Sequence, residues 1–374
     1  MEAYWSTMSG RRMQGLAEAV LVLEDGGVYR GEMFGAQATA IGEVVFNTSM
    51  TGYQEILTDP SYAGQIVVPT YPLIGNYGIT GAYAESHRIQ VRGFVVRQHC
   101  SQPSHQKSEI TLGDYLAAEG IPAISGIDTR ALTRRLRNSG VMMGLITSEL
   151  SAEEAARRLQ DSPPYAGQDY VKTVTTDEPM KWEQTGKPQR RITVVDMGVK
   201  HNILRILGSR GCDVTTVPAG TSSGEILDTN PDGILLSPGP GDPAVLDYMV
   251  QHTKEIVGRR PIMGICLGHQ VIAHALGGAT FKLKFGHRGG NHPVRDNETG
   301  RVYITAQNHG YAVDADSLPS DVEVSHINLN DNTVEGLVCK DKRIVTIQYH
   351  SEAAPGPLDN VEMFDRFLAL VDET

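Results

Sequence analysis

The sequence predicts an α/β protein in which a strand-rich N-terminal domain of mixed α and β structure precedes a C-terminal, mostly parallel sheet flanked by helices. Three observations lead to this fold class. Short apolar runs bounded by turn residues dominate residues 17–160, whereas strand patterns alternate with helical patterns from residue 190 onward. Between these parts, residues 161–189 contain four prolines, many polar residues and little periodicity, which is typical of a linker.

The N-terminal half contains more strand signals than helix signals. Residues 1–16 have no periodicity, so we expect a mobile extension there. Residues 19–35 favour two strands joined at Asp25-Gly26-Gly27, because an Asp-Gly pair between apolar runs is typical of a hairpin. Further strands are predicted at Gly42–Asn47, Gln65–Thr70 and Arg92–Val96, and helices at Asp114–Glu119, Asp128–Asn138 and Ser151–Gln160.

The C-terminal half, residues 190–374, alternates strands with helices. Such a repeat requires right-handed crossovers and produces a parallel sheet that is buried on both faces. The predicted strands lie at residues 191–198, 213–220, 233–236, 261–266, 281–283, 302–306, 322–328, 336–340 and 343–349. The predicted helices lie at residues 199–208, 223–227, 246–257, 268–276 and 360–371.

The composition excludes several classes of function. The 374 residues are 40% hydrophobic and 21% charged, as in an ordinary globular protein, and their net charge is −11. Because neither half is basic, we expect no nucleic acid and no membrane as a partner. Four separated cysteines without a CxxC pair predict no disulfide framework, and no apolar run reaches the roughly 18 residues of a membrane span. With no signal-peptide pattern either, we expect a cytoplasmic protein.

The first candidate catalytic segment is GICLGHQ, residues 264–270, where an apolar strand turns into a helix. This is the arrangement of a nucleophile elbow with Cys266 in place of serine. A thiol at a helix N-terminus is favoured as the thiolate, and the amide of Leu267 is a natural donor to an oxyanion. The alternative is a buried structural cysteine after a core strand.

The second candidate segment is QYHSEA, residues 348–353, just after a predicted strand. If this segment is extended, His350 and Glu352 point to the same side, so the carboxylate can hold one ring nitrogen while the other faces a nucleophile. The alternative is an incidental surface pair. The position at a strand end, in a domain that already has a cysteine elbow, favours catalysis.

A third segment, Ser237–Pro243, alternates glycine and proline at another strand end. Its rigid backbone would expose N–H groups suited to an oxyanion or a carboxylate, and a tight surface turn is the alternative. The chain has no GxxxxGK[ST] loop and no GxGxxG between a strand and a helix, so the sequence predicts no nucleotide site.

The histidine pairs do not predict a metal site. His269 and His274 are separated by five positions, as are His287 and His292, a spacing that does not bring two ligands together on a helix. The second pair falls in a segment that we expect to be a Gly-rich loop. We therefore expect no metal on this chain. Residues 308–311, Asn-His-Gly-Tyr, are predicted to form either a polar ligand-binding loop or a plain turn.

These motifs resemble those of a known family. GICLGHQ, QYHSEA and SPGPGDP are similar to the triad-type (class I) glutamine amidotransferase domain, which hydrolyses glutamine through a Cys-His-Glu triad. Nearly all of residues 17–374 resemble the small, glutamine-hydrolysing chains of carbamoyl-phosphate synthase. The blocks that carry this second resemblance are FNTSMTGYQEILTDPSY (Phe46–Tyr62), GIDTRALTRRLRNSG (Gly126–Gly140), KFGHRGGNHPV (Lys284–Val294) and AQNHGYAVD (Ala306–Asp314).

The resemblance implies roles for individual residues. Cys266 would be the nucleophile, His350 the general base and acid, and Glu352 the carboxylate that orients His350. The backbone N–H groups of Gly239 and Leu267 would form the oxyanion hole. The substrate contacts that the family implies are Ser49, Gly239, Gly241, Leu267, Gln270, Asn308, Gly310 and Tyr311.

The resemblance also implies a partner. Ammonia released from L-glutamine would travel to a separate large chain that uses ATP, bicarbonate and Mg²⁺, and no cofactor is expected on the small chain. The basic helix Asp128–Asn138 is a candidate for part of the contact, with a solvated basic face as the alternative. Other functions that fit the motifs are an amidotransferase subunit of another synthase, a cysteine peptidase and a non-catalytic regulatory subunit.

Overall fold

The computed structural model describes residues 17–183 and 188–373 of the chain. Within these residues the predicted α/β class is confirmed, because a strand-rich part precedes a large sheet covered by helices. The extension predicted at residues 1–16 lies outside the described residues. The domain boundaries stay a prediction.

Seven of the strands described before residue 148 close into a barrel. The strands in this part are β1 (Glu18–Leu23), β2 (Val28–Gly35), β3 (Ala40–Asn47), β4 (Gln65–Pro69), β5 (Leu73–Ile74), β6 (Gly93–Val95), β7 (Gln98–His99), β8 (Pro122–Ser125) and β9 (Met142–Thr147). The order around the barrel is β1-β2-β8-β6-β4-β3-β9, and β5 pairs separately with β7. The inward side chains of the barrel form one buried apolar cluster that includes Leu21, Val44 and Ile66.

The predicted hairpin between β1 and β2 is confirmed. Gly26 has a φ of 83°, which glycine adopts without steric cost, and Gly27 N donates to Asp25 Oδ1 at 3.1 Å. The strands then pair antiparallel from Val22 opposite Val28 to Glu18 opposite Glu32.

Four helices of this part pack around the barrel: α1 (Tyr53–Thr58), α2 (Leu112–Ala118), α3 (Thr129–Ser139) and α4 (Ala152–Gln160). The residues predicted to begin and end α3 do so in the structure. Asp128 caps its start by accepting from Ala131 N at 2.9 Å, and Gly140, with a φ of 100°, follows its last residue. Leu132 and Leu136 are buried against the barrel.

The segment predicted as a linker, residues 161–189, is more structured than its composition indicates. It contains α5 (Val171–Val174) and β10 (Met180–Lys181), and β10 pairs with a strand of the second sheet. Tyr165 stacks on Tyr170 with ring centroids 4.6 Å apart, and Tyr165 is buried. Aromatic and aliphatic side chains therefore pack against the fold and hold in place a segment whose prolines suggested a linker.

The second sheet has ten strands within the described chain. After β10 come β11 (Arg190–Asp196), β12 (Cys212–Pro218), β13 (Gly233–Leu236), β14 (Ile262–Ile265), β15 (Ala279–Asp296), β16 (Val302–Asp314), β17 (Glu323–Asn328), β18 (Val334–Cys339) and β19 (Ile344–Ile347). Their order is β10-β12-β11-β13-β14-β19-β18-β17-β15-β16. The five strands from β12 to β19 in this order are parallel, and antiparallel strands extend the sheet at both edges.

Helices cover both faces of the parallel strands, as expected for buried strands such as β13 and β14. The helices are α6 (His201–Ser209), α7 (Ser223–Asp228), α8 (Asp247–Ile256), α9 (Leu267–Ala275) and α10 (Met363–Asp372). Apolar residues of α6 and α10 pack on one face, and those of α7, α8 and α9 pack on the other. None of the described helices is long and apolar enough to cross a membrane.

The long hairpin of β15 and β16 differs from the sequence prediction. The Gly-rich segment around His287 and His292 is part of β15, and residues 308–311 lie within β16, so neither is the loop or turn that we expected. Two register irregularities, at Lys282/His287 and at Gly289/His292, interrupt the pairing. Glycines permit such bulges within a strand, but they are also common in loops, so the glycine-rich composition of this segment suggested a loop.

Candidate active site

Four segments meet at the carboxyl edge of the parallel strands. Lys200 follows β11, Gly239 follows β13, Cys266 follows β14 and His350 follows β19. Because the carboxyl ends of neighbouring parallel strands open into one crevice, residues that are far apart in sequence become neighbours there.

Cys266 lies at the sharp turn between β14 and α9. Its φ of 53° is unusual for a residue with a side chain, and such strain persists only where the surrounding structure enforces it. The backbone N–H of Cys266 donates to Ile347 O at 2.8 Å, and the thiol lies 3.7 Å from Asn308 O. The residue is 2% exposed, so the sulfur is held in a buried position at the helix N-terminus.

Two glycines make this turn possible. A Cβ atom at Gly268 would lie 2.2 Å from Leu236 O, and one at Gly264 would lie 2.5 Å from Ile272 Cδ1. Distances this short are forbidden, so β13, β14 and α9 can approach one another only because both positions lack a side chain. The Gly-Ile-Cys-Leu-Gly spacing thus fixes the position of the thiol.

His350 is tied to Glu352 through one ring nitrogen. His350 Nδ1 lies 2.6 Å from Glu352 Oε1, while Nε2 has no hydrogen-bond partner among the described residues. Ala353 N donates to His350 O at 3.1 Å, which closes a turn at residues 351–352. The extended segment that we expected here is therefore wrong, and the turn makes the contact instead.

The buried charges of this pair stabilise each other. Burial disfavours a charged His350, but Glu352 and Cys266 outweigh that effect and hold its pKa well above the ordinary value. Burial likewise opposes a charged Glu352, but Lys200 and His350 lower its pKa. Both shifts favour an imidazolium–carboxylate pair at neutral pH.

Lys200 is a site residue that the sequence did not reveal. It is 2% exposed, and its Nζ donates to Glu352 Oε1 at 3.0 Å and to the backbone oxygen of Ala353. Burial lowers the pKa of Lys200, but Glu352, Asp59 and Glu85 raise it to a greater extent. Lys200 is separated from Glu352 by 152 positions, and no sequence motif around Lys200 indicates that it belongs to the site.

Most of the predicted substrate contacts line one pocket together with Cys266. This first pocket contains Gly239, Gly241, Gln270, Asn308, Gly310 and Tyr311. Gln270 Nε2 donates to Tyr311 O at 2.8 Å and to Gln348 Oε1 at 2.9 Å, so the side-chain amide is held in the pocket wall. A Cβ at Gly239 would lie 2.2 Å from Met197 O, so this loop requires glycine.

The two predicted oxyanion donors belong to two segments that meet next to Cys266. Leu267 is the first residue of α9, where a backbone N–H has no acceptor within the helix. A Cβ at Gly239 would also lie 2.9 Å from Leu267 Cδ2, so the Gly-Pro loop contacts the start of α9. Both amides therefore belong to the wall around Cys266.

Ser49 lies in a second pocket rather than in the first. It follows β3, is half-buried, and lines a pocket that also contains Lys200, His350 and Pro355. Asn308 borders both pockets, and its Nδ2 donates to Asp59 Oδ2 at 3.1 Å. Residues from the barrel thus reach the site from the side of His350.

One group of three side chains in the described residues has the geometry for a metal ion. The ligand atoms of His287, His309 and Glu335 lie within 4.8 Å of one another. All three side chains already form hydrogen bonds within the protein: Glu335 Oε2 accepts from Gln307 Nε2 at 2.9 Å, His287 Nε2 lies 2.8 Å from Asp331 Oδ2, and His309 Nε2 lies 2.7 Å from Gln307 Oε1. The expectation that this chain holds no metal stays a prediction.

The arrangement suits covalent catalysis. A nucleophile at a helix N-terminus, a histidine with one free nitrogen and a carboxylate that orients it are the parts required for acyl transfer. The pocket beside the thiol is lined by polar side chains and by glycine backbone, the kind of lining that a small polar substrate requires.

Comparison with known proteins agrees with this class of site. Residues 193–370, which include Cys266, His350 and Glu352, match the family described as Glutamine amidotransferase class-I. Residues 21–146 match the family described as Carbamoyl-phosphate synthase small chain, CPSase domain.

Whole-chain relatives define the family more closely. The carbamoyl phosphate synthase small chain of Syntrophotalea carbinolica is 49% identical over 95% of this chain and 98% of its own length. The small chain of Symbiobacterium thermophilum is 50% identical over 94% and 98%, and the chloroplastic small chain of Oryza sativa is 47% identical over 95% and 82%. The chain belongs to the carbamoyl phosphate synthase small chain family, which confirms the resemblance seen in the sequence.

Proposed function

We propose that this chain is the glutamine-hydrolysing subunit of a carbamoyl phosphate synthase. In this proposal Cys266, His350 and Glu352 convert L-glutamine to glutamate and ammonia. The observation that carries the proposal is that a buried, strained cysteine and a histidine whose Nδ1 is held by a buried carboxylate follow the adjacent parallel strands β14 and β19. The names of the relatives support glutamine as the substrate and carbamoyl phosphate synthesis as the purpose.

In the first half of the reaction the thiolate of Cys266 attacks the side-chain amide carbon of glutamine. The amides of Gly239 and Leu267 donate to the oxygen on which negative charge develops. His350 gives the proton on Nε2 to the amide nitrogen as the carbon–nitrogen bond breaks. Ammonia leaves, and a glutamyl thioester on Cys266 remains.

In the second half His350 acts as a base. Its neutral Nε2 takes a proton from water while the oxygen attacks the thioester carbon. The carbon–sulfur bond breaks, glutamate leaves and the thiolate–imidazolium pair is restored. Glu352 holds Nδ1 throughout, which fixes the ring orientation and stabilises the imidazolium.

The remaining substrate contacts complete the proposal. Gly241, Gln270, Asn308, Gly310 and Tyr311 border the pocket of Cys266 and would contact the amino-acid end of glutamine. Ser49 would contribute from the barrel, next to His350.

Carbamoyl phosphate synthesis would require a large partner chain. In this proposal the partner binds ATP, bicarbonate and Mg²⁺ and receives ammonia from this chain. The exposed arginines of α3 are candidates for part of the contact, since Arg130, Arg134 and Arg137 all face solvent.

The test is the Cys266→Ala variant, assayed with the large chain. Glutamine-dependent carbamoyl phosphate formation should fall by several orders of magnitude, because a covalent triad has lost its nucleophile, while synthesis from added ammonia should persist. Cys212→Ala, which removes a buried thiol of β12, is the matched control. Glutamine hydrolysis above background in Cys266→Ala would contradict the assignment.

A second assay concerns the partner. The chain should hydrolyse glutamine slowly on its own and faster with the large chain, because an uncoupled glutaminase would release ammonia to no purpose. Equal rates with and without the large chain, and no co-elution of the two, would contradict a subunit role.

A further inference from the structure

Arg288 of β15 is a buried cation without an ionic partner. Its side chain is among the buried ones, with 5% of the residue exposed, and it forms no ion pair with any carboxylate of the described residues. Nη1 donates to Phe285 O at 2.6 Å, whereas Nε has no hydrogen-bond partner in the described chain. Only part of the hydrogen-bond donors of this buried guanidinium are therefore satisfied.

Such a charge is costly unless something compensates for it. Transferring a cation out of water is unfavourable, and buried charges are normally paired. The other buried cation near the site, Lys200, follows this rule, because it pairs with Glu352 at 3.0 Å. Arg288 is the exception, so its partner is expected to come from outside the chain.

Arg288 faces the pocket that contains Cys266. It lines this pocket together with Gly310, and a Cβ atom at Gly310 would lie 3.4 Å from Arg288 Nη2. The guanidinium thus lies against the backbone of a segment that also borders the thiol. Glu43, the carboxylate that lines this pocket, pairs with the exposed Lys282 at 3.3 Å, so Arg288 is left as a cation of the pocket without a carboxylate partner among the described residues.

Two more polar groups in the same pocket have no partner among the described residues. They are Ser61 Oγ and Gln65 Oε1, and these residues are 6% and 3% exposed. A pocket wall with several buried, unsatisfied polar atoms is built for a polar ligand rather than an apolar one.

We propose that Arg288 binds the α-carboxylate of glutamine and thereby selects an α-amino acid amide over a simple amide. This inference rests on the proposed glutaminase function and assigns one end of its substrate. The amide end of glutamine must lie at Cys266, so the carboxylate end lies in the remainder of the pocket. A guanidinium is the side chain best matched to a carboxylate, since it can donate two parallel hydrogen bonds.

The experiment compares two substrates in the complex of this chain with its large partner. L-Glutamine carries the α-carboxylate, and 4-aminobutanamide is the same molecule without it. In Arg288→Gln the KM for L-glutamine should rise about 10- to 100-fold, the scale of one charge-assisted hydrogen bond. The kcat/KM for 4-aminobutanamide should stay within about twofold of the unchanged protein. Arg288→Lys should retain part of the preference for L-glutamine.

A binding measurement that needs no turnover accompanies the kinetics. In the Cys266→Ala background, L-glutamine should raise the melting temperature of the full chain, and the added Arg288→Gln change should abolish most of that rise. The effect of 4-aminobutanamide should be equal with and without Arg288. Arg30→Gln is the control, because Arg30 is an exposed arginine of β2 that pairs with Glu18.

The outcomes separate this inference from the proposed function. If the unchanged protein does not hydrolyse L-glutamine, the proposed function fails. If it does, but Arg288→Gln weakens both substrates equally or neither, only the role of Arg288 is overturned. Without substrate, the melting temperature of Arg288→Gln should equal or exceed that of the unchanged protein, because an unpaired buried charge has been removed. A clear decrease would show a structural role instead.

Discussion

Lys200 Nζ donates a hydrogen bond to Glu352 Oε1 at 3.0 Å, and neither side chain is more than 2% exposed. The same carboxylate oxygen lies 2.6 Å from His350 Nδ1. Glu352 thus contacts two cations in a buried setting. The lysine supplies the charge that keeps the carboxylate ionised when burial opposes ionisation.

Lys200→Met should therefore change the pH dependence of the reaction. Without the ammonium group the pKa of Glu352 should rise, so the acid limb of the kcat/KM profile should move to higher pH. The variant should also lose about 3–5 kcal/mol of unfolding free energy, because one partner of a buried ion pair is left alone. Glutaminase pH profiles and denaturant unfolding measure the two effects.

The control for Lys200→Met is Lys172→Met. Lys172 also pairs with a carboxylate, Asp169 at 3.2 Å, but 72% of its side chain is exposed, so its removal should have little effect. If Lys200→Met leaves the acid limb where it was, Lys200 does not control the ionisation of Glu352.

Gly268→Ala should distort the nucleophile turn. The added Cβ would lie 2.2 Å from Leu236 O, so α9 must move away from β13 and carry Cys266 with it. We expect a loss of about 1–3 kcal/mol in unfolding free energy or more, together with a loss of glutaminase activity. Gly224→Ala is the contrasting control, because nothing lies within 4 Å of its Cβ position in α7 and alanine favours a helix by up to about 1 kcal/mol. Equal stability of the two variants would contradict the steric argument.

His287 should make the stability of the fold depend on pH. Burial lowers its pKa, but the hydrogen bond to Asp331 and the nearby carboxylate of Glu335, 3.6 Å from Nδ1, outweigh this effect and raise the pKa to about 9. A group whose pKa is raised on folding stabilises fully below its unfolded value near 6.5, and this contribution disappears as the pH rises through 9. The loss is about 3 kcal/mol at most.

The measurement is the unfolding free energy at pH 6 and pH 9.5 for the unchanged chain and for His287→Gln. The difference between the two proteins should shrink as the pH rises, because the charge of His287 is gone at the upper pH. A difference that stays constant over this interval would indicate that His287 contributes only by packing.

The catalytic segments were predictable because their signals are local. The glycines of the elbow and the His-x-Glu spacing specify a turn and a contact within a few residues of each other. Lys200 carries no such signal, because its partner Glu352 lies 152 positions away. The two residues become neighbours only because β11 and β19 lie in the same parallel sheet. Arg288 could not be predicted from the sequence either, because its burial without an ionic partner becomes apparent only in the folded chain.

The strands at the rim of the site were harder to predict than the parallel strands. Uninterrupted apolar runs such as those of β13 and β14 indicate buried strands directly. In β15 and β16 glycines, histidines and asparagines replace that pattern, and the pairing is held by backbone hydrogen bonds around irregular register positions. Composition suggested loops there because it carries no information about which strand lies opposite.

Ser49 provides the last test, because it decides whether the barrel takes part in substrate binding. Ser49 N donates to Asn47 Oδ1 at 2.7 Å, which fixes the loop after β3, and its side chain lines the pocket that contains His350. If the hydroxyl binds the α-amino or α-carboxylate group, it stabilises ground state and transition state alike. Ser49→Ala should then leave kcat unchanged and raise the KM for glutamine. The rise in KM should correspond to about 0.5–1.5 kcal/mol of binding free energy for a neutral partner, or up to about 3 kcal/mol for a charged one.

Steady-state kinetics distinguish this role from two others. A lower kcat at constant KM would mean that Ser49 acts at the side of His350, on the departing ammonia or the attacking water, because only a contact made in the transition state lowers kcat alone. Unchanged values of both constants would remove Ser49 from the site. Ser139→Ala, an exposed serine at the end of α3, controls for loss of a hydroxyl elsewhere, and equal melting temperatures show that the loop after β3 has kept its fold.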